Sequence, residues 1–402
     1  MHPKAQPEFA AAEDRADQRA VSPPLSLKEK CRRAVASGLY HTGLLSVMRH
    51  FESEHELSNV EGSRLPRLRR SGASKFGILC YHRVGTSGVP VFSRLDPRVF
   101  AAQMRYLRKH YRIVPLGQLC RELKDGSSVK PTLALTFDDG YRDLYTHAFP
   151  VLQKYEIPAT IYLIGKCMET GEAPWYDRIF VALETASSPV LEVVLNEPRK
   201  FSLSNRETRA AAAWEIVCYL RSIPDVQRRQ WCASFEARTP VPSAELQGRM
   251  LNWEQVHAMQ KGGVFFGAHT MTHPSVSRLE SDALEIELVQ SKACLEEGLQ
   301  APIEDFAYPF GKPSDCSMAA EELLSRSGYR SAVTTTAGCN TVGINAYRLL
   351  RMQIGDDRSI SSYSFDLARM LLDGDAASHG KIDAIPTGKN SAVLQSESTI
   401  GL

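Results

Sequence analysis

The chain has 402 residues, 43% hydrophobic and 23% charged, with 48 basic against 46 acidic side chains for a net charge of +2. That balance fits a globular protein with a large core, excludes disorder throughout, and gives no field strong enough to predict nucleic-acid binding. Nine scattered cysteines with no Cys-x-x-Cys pair speak against a disulfide frame and for a reducing compartment.

Residues 1–25 are polar and rich in alanine and proline, and residues 375–402 have little periodic apolar content, so both ends read as disordered tails. The start "MHPKAQPEFAAAEDRADQ" lacks the apolar run of a secretory signal, and no later run reaches the roughly 20 apolar residues of a membrane span. The expected location is the cytoplasm, with membrane contact only from the surface, at the inner membrane face. Residues 26–74 read as an amphipathic helix followed by a linker. Val35, Leu39, Leu44, Leu45, Met48 and Phe51 recur near helical spacing beside Arg32 and Arg33. Such a helix either caps the end of a domain or lies as a basic helix on a membrane.

Residues 75–374 alternate short apolar runs with helical patterns. Strands are expected at 77–82, 132–137, 159–165, 264–269, 305–310, 331–336 and 349–355, and helical patterns intervene at Phe100–His110, Leu144–Tyr155, Trp253–Lys261, Ser281–Leu299 and Ala319–Ser327. The runs are nearly unalternating, as parallel strands buried on both faces are, which predicts an α/β domain closed like a barrel. Residues 168–251 break the rhythm with a mostly helical stretch, far longer than a strand-to-helix connection needs. It reads as an insertion on the C-terminal face, either lining a substrate groove or bracing the fold.

Four polar clusters stand at the C-terminal ends of separate strands: His82, the pair Asp138 and Asp139, the pair His269 and His273, and "YPFG" from Tyr308 to Gly311. Alone, each has a bland explanation. The doublet Asp356-Asp357 shows that paired aspartates also occur as turn residues. Together they make chemical sense, because two neutral imidazoles and one carboxylate suit a divalent ion such as zinc and leave room for water and substrate. A second carboxylate could take the water's proton and a histidine opposite could protonate the leaving group. That is the outline of metal-assisted hydrolysis.

With these motifs in view, the sequence resembles the polysaccharide deacetylases of carbohydrate esterase family 4, which include the chitooligosaccharide deacetylases. "TFDDGYRDLYTHAFPVLQKYEIPATIYLIG" (136–165) is similar to the family's first motif with its following helix and strand, and "GAHTMTHPSVSRL" (267–279) to its His-[Ser/Thr]-x-x-His motif. The resemblance implies a distorted (β/α)7 TIM-like barrel that removes acetyl groups from N-acetylated sugars of a polysaccharide, a cell-surface glycan precursor or a chitooligosaccharide. By position it makes Asp138 the general base and Asp139, His269 and His273 the metal ligands, with Zn2+ first and Co2+ or Ni2+ as alternatives. The backbone N–H of Phe310 would face the oxyanion, with Tyr308, Pro309 and Tyr141 on the substrate side.

Three departures mark this chain. Ala307 stands where the third motif begins with an arginine that steadies the base, and Arg351 and Arg83 are the candidates to substitute. "TTTAGCNTVG" lacks the Asp-Trp pair of the acetyl pocket, and no Leu-x-His motif follows His273. Because a barrel is closed, its acid histidine can instead come from the first strand, and "ILCYHRVG" resembles the permuted members that act on poly-N-acetylglucosamine-like polymers. His82 is then the acid. Two other readings are a catalytically silent carbohydrate-binding barrel and a deformylase or deacylase of a lipid-linked amino sugar.

Overall fold

Each of the seven apolar runs forms a parallel strand. In chain order they are β1 (Phe76–Tyr81), β2 (Thr132–Phe137), β3 (Ala159–Leu163), β4 (Val264–Ala268), β5 (Asp305–Ala307), β6 (Ser331–Val333) and β7 (Met352–Gln353). The computed structural model describes residues 27–41, 75–86, 94–126, 131–355 and 359–373. Strands β1 to β6 pair in sequence, and β7 pairs with β1. The ring closes at Leu349, which exchanges hydrogen bonds with β6: its N–H donates to Ala332 and its carbonyl accepts from Thr334, both at 2.9 Å.

Every residue of β1, β2 and β3 is buried, because helices cover the outside of the ring and side chains fill its inside. Leu79, Tyr81, Leu135, Phe137, Phe306 and Tyr308 belong to the outer layer of core, whereas Ile78, Ala134, Tyr162, Ala307 and Val333 fill the interior. The last three strands are shorter than their apolar runs. After Ala307 the chain leaves the sheet, since Pro309 has no N–H to give a ladder and Phe310 turns with φ +60°.

The insertion carries a helix Trp175–Thr185, two longer helices Arg206–Ser222 and Asp225–Arg238, and its own apolar core around Ile179, Phe180, Ala213, Ile216 and Phe235. It also contains an antiparallel hairpin, Val190–Val194 with Pro198–Ser202, within a stretch expected to be mostly helical. Among its ten residues only Val193 is buried, so the hairpin lacks the apolar alternation that announces a strand.

The N-terminal helix is described over Leu27–His41 and packs on the last helix, Ile360–Asp373. Ala36 is buried there and Arg32 pairs with Asp366. Residues 42–74, both tails and the doublet Asp356-Asp357 lie outside the described residues. No helix among the described residues is long and apolar enough to cross a membrane.

Gly267 tests how tightly the ring is packed beneath the site. A Cβ there would lie 2.6 Å from the Tyr162 ring and 2.7 Å from the Asp305 carbonyl oxygen. Gly267→Ala should therefore destabilise the protein by about 1–3 kcal/mol. A lower midpoint of urea unfolding is the expected reading, and an unchanged midpoint would mean the interior yields.

Candidate active site

Strand register brings the polar clusters together. β1 and β2 pair from Phe76 opposite Thr132 to Tyr81 opposite Phe137, so the next step sets His82 beside Asp138. The Asp138 N–H still donates to the Tyr81 carbonyl at 3.0 Å, but Asp139 (φ 74°) and Gly140 (φ 78°) turn into the left-handed region. A Cβ on Gly140 would meet Leu163 at 2.7 Å, so a glycine is required. This abrupt turn aims two successive carboxylates at different neighbours.

Asp139 meets the two histidines of "HTMTH". Its Oδ1 lies 3.5 Å from His269 Nε2 and 3.4 Å from His273 Nε2. His269 Nδ1 sits 2.7 Å from the Ala307 carbonyl oxygen, which can only accept, so Nδ1 is the donor there and Nε2 is the nitrogen turned to Asp139. Left-handed residues Thr270 and His273 coil the loop, and Thr270 Oγ1 accepts from the His273 N–H at 2.9 Å. Glu287 secures it from behind. Its carboxylate accepts the Met271 and Thr272 N–H groups at 2.7 and 2.8 Å and the Thr272 hydroxyl at 2.6 Å. Burial pushes the Glu287 pKa up against these bonds.

These residues fit a divalent ion. Asp139 Oδ2 is buried with no hydrogen-bond partner. Burial would raise the Asp139 pKa, but His269 and His273 overcome it and hold the group well below the usual carboxylate range. Burial also lowers His273 to about 4, which leaves its imidazole neutral near pH 7. One carboxylate and two imidazoles, all ligand atoms within 4.8 Å of one another, are the donor set such an ion takes.

Asp138 is held differently. Arg351 Nη1 and Nη2 donate to its two oxygens, each at 2.7 Å, while Nε donates to the Thr334 carbonyl at 2.7 Å and Nη1 also reaches Thr136 Oγ1 at 3.1 Å. Burial opposes ionisation of Asp138, yet the Arg351 charge and hydrogen bonds, then His269 and His82, bring its pKa below the ordinary value. His82 Nε2 stands 3.9 Å from Asp138 Oδ2, and its side chain is 20% exposed against 3% for Asp138, so His82 is the member that opens to the face. Cys80 Sγ lies 3.6 Å from the same oxygen, and burial keeps it a thiol.

Several expectations are corrected by the geometry. Arg83 does not reach Asp138. It follows His82 along extended chain and points the other way, donating to Asp143 at 2.7 Å with its guanidinium 4.2 Å from the Tyr141 ring. Tyr141 is buried and donates to Asp177 of the insertion at 2.9 Å, tying that helix to the Asp139 turn instead of facing substrate. Tyr308 lies in the outer core against Phe306, ring centroids 5.2 Å apart, away from the site. Pro309 is buried, and its carbonyl accepts from Gly311 at 2.6 Å to shape the turn. Phe310 does reach the site: its ring is 5.0 Å from His273, and no backbone hydrogen bond among the described residues uses its N–H.

Other members escaped sequence reading. Trp175, from the insertion, donates from Nε1 to the His273 carbonyl at 3.0 Å, and the Tyr176 ring lies 4.8 Å from His273. Aromatic surface beside the ligands thus comes from "PWYD", not from the segment expected to carry an Asp-Trp pair. Glu287 had a faint signal, an acid beside Leu284, Leu288 and Leu295 on the buried side of a helical pattern. It sits in a π-helical turn, Ile286–Gln290, which is a common feature of functional sites.

Comparison with known proteins bears on this geometry. Residues 125–331 match the family model for polysaccharide deacetylase. YxkH of Bacillus subtilis is 22% identical over 298 residues, covering 74% of this chain and 77% of that protein. A poly-beta-1,6-N-acetyl-D-glucosamine N-deacetylase of Staphylococcus epidermidis is 30% identical over 122 residues, covering 27% of this chain and 40% of its own length. The deacetylase PplD of Streptococcus pyogenes shares the fold, with a TM-score of 0.51 at 20% identity over 74% of this chain and 99% of its own. On the family match and the shared barrel, the chain belongs to the polysaccharide deacetylase family, enzymes that act on N-acetyl amide bonds.

Proposed function

We propose that the protein hydrolyses the N-acetyl groups of amino sugars in a poly-N-acetylglucosamine-like glycan or its precursor, with a divalent ion, Zn2+ first, held by Asp139, His269 and His273. The observation that carries this reading is the bidentate Arg351–Asp138 pair beside that ligand set, with His82 on its open side. The Staphylococcus relative's name supports the sugar. When bound, the ion supplies Lewis-acid polarisation and lowers the pKa of water.

Asp138 accepts a proton from water as its oxygen bonds to the acetyl carbon. Arg351 keeps that carboxylate ionised and aimed, the work of the absent motif arginine, from the start of β7. The Phe310 N–H donates to the acetyl oxygen as charge develops there. His82 protonates the amine as the C–N bond breaks, leaving acetate and a free amino sugar. A silent binding barrel would have no use for the buried Arg351–Asp138 support. A deformylase would use the same groups and release formate instead of acetate.

Chelation should abolish acetate release from a chitooligosaccharide or β-1,6-linked oligomer, and Zn2+ or Co2+ should restore it. Asp139→Asn should lose the ion in equilibrium dialysis, whereas Asp138→Asn and His82→Asn should keep it and lose about 10²- to 10⁴-fold in kcat.

Removing Arg351 takes away the charge that opposes burial of Asp138. The pKa of Asp138 should then rise, and because its ionised form is the base, the acid limb of kcat/KM should move to higher pH in Arg351→Met. Arg351→Lys should move it less. Unmoved limbs in folded variants would separate Arg351 from the base.

Glu287→Gln keeps an acceptor but removes the charge behind the loop. Metal affinity should fall about 10- to 100-fold, the range for groups that orient ligands, as read by competition with a chromophoric chelator.

A further inference from the structure

Two of the three residues in the ligand set hold a backbone conformation that their side chains disfavour. Asp139 (φ 74°) and His273 (φ 59°) are both left-handed, and non-glycine residues keep that region only where surrounding contacts over-determine it. His269, by contrast, follows β4 directly and is held by the Ala307 carbonyl oxygen. Asp139 and His273 also stand at the ends of β2 and β4, which β3 separates in the sheet. No ladder hydrogen bond therefore fixes the distance between them.

The insertion, which follows β3, bridges that gap with three successive buried residues, the first of the helix Trp175–Thr185. Trp175 Nε1 donates to the His273 carbonyl at 3.0 Å, and the Tyr176 ring lies 4.8 Å from the His273 ring. On the other side Asp177 Oδ1 accepts from the Tyr141 hydroxyl at 2.9 Å, two residues after Asp139, while the Arg83 guanidinium lies 4.2 Å from the Tyr141 ring. The return of the insertion holds the same turn through the backbone. The Leu251 N–H donates to the Gly140 carbonyl at 2.9 Å, and the Arg142 N–H to the Arg249 carbonyl at 2.8 Å. Each left-handed ligand is thus tied, from outside its own loop, to one short stretch of chain.

We infer that Trp175–Asp177 is a clamp that sets the spacing of Asp139 and His273, which makes Trp175 and Asp177 positioning residues for the ion-binding set. The inference rests on the proposed function for which residues are the ligands, and not on which glycan is turned over. Groups that orient ligands typically change metal affinity by about 10- to 100-fold. Coupling of this kind is reciprocal, so ion binding must in turn steady the helix that forms the clamp.

Two measurements on the full chain test it. In the first, Zn2+ affinity is read by competition with a chromophoric chelator, and the visible absorption of the Co2+-loaded protein is recorded. Tyr141→Phe and Asp177→Ala remove the same hydrogen bond, so each should lower Zn2+ affinity about tenfold and the double variant should lose no more than either alone. Asp177→Asn keeps an acceptor for the hydroxyl and should recover most of that affinity. Trp175→Phe keeps a ring but not the donor, and should lower affinity and shift the Co2+ absorption. A role confined to stability would lower the urea midpoint of the metal-free variants and leave their Zn2+ affinity and Co2+ absorption at wild-type values, which overturns the clamp. The second measurement needs no variant. Zn2+ should slow hydrogen exchange in the helix Trp175–Thr185 of the wild type about tenfold, and more than in the exposed hairpin Val190–Ser202. Equal exchange in that helix with and without Zn2+ overturns the clamp even where the variants do not fold. Failure of the wild type to bind either ion would instead sink the ligand set itself, whereas binding that every variant shares removes only the clamp.

Discussion

A guanidinium buried inside the barrel organises this site. Arg351 is wholly inaccessible, and its guanidinium makes four hydrogen bonds, to Asp138, Thr136 and the Thr334 carbonyl, groups at the ends of two strands of the ring, β2 and β6. Such a pair is a poor source of net stability, because desolvating both ions offsets most of their attraction, yet losing one partner costs roughly 3–5 kcal/mol by stranding the other. The arrangement is therefore all or nothing. A folded barrel holds Asp138 ionised and in one orientation, with the carboxylate next to Asp139 but bonded to a different partner.

That division answers a difficulty built into adjacent aspartates. Two like charges in a buried turn would raise each other's pKa. Here Arg351 compensates one and the histidine pair faces the other, and the left-handed turn at Asp139 and Gly140 keeps the two environments apart. The same separation suits the proposed roles, in which a base is kept apart from the carboxylate that would hold an ion.

The insertion is part of this machinery at its edges. Trp175 bonds the His273 carbonyl, Asp177 takes the Tyr141 hydroxyl beside the Asp139 turn, and Arg221 spans Phe310 to reach Asp315. Burial lifts Asp177 to about 6 despite Arg83 and Tyr141, so this junction carries a carboxyl that is easier to protonate than most. The aromatic wall beside His273 arises from these contacts between distant stretches of chain.

By itself the sequence determined the seven strands and the polar groups at their ends that the fold gathers on one face. Those features are local: apolar runs report burial on both faces, and polar groups at strand ends report the catalytic face whatever the later packing. The hairpin at Val190–Ser202 was illegible because its sides are mostly exposed, and short strand ends were overcalled where Pro309 and Phe310 turn the chain. Arg351 could be named as a candidate but not chosen over Arg83, because the choice depends on which side of an extended strand each residue points and on ring closure at Leu349. Only the tertiary structure decided that Ala307 leaves the interior to a guanidinium from the start of β7, that Tyr141 and Tyr308 are buried in core contacts, and that the insertion packs against His273. Each of these is a contact between residues far apart in the chain, which side-chain periodicity does not encode.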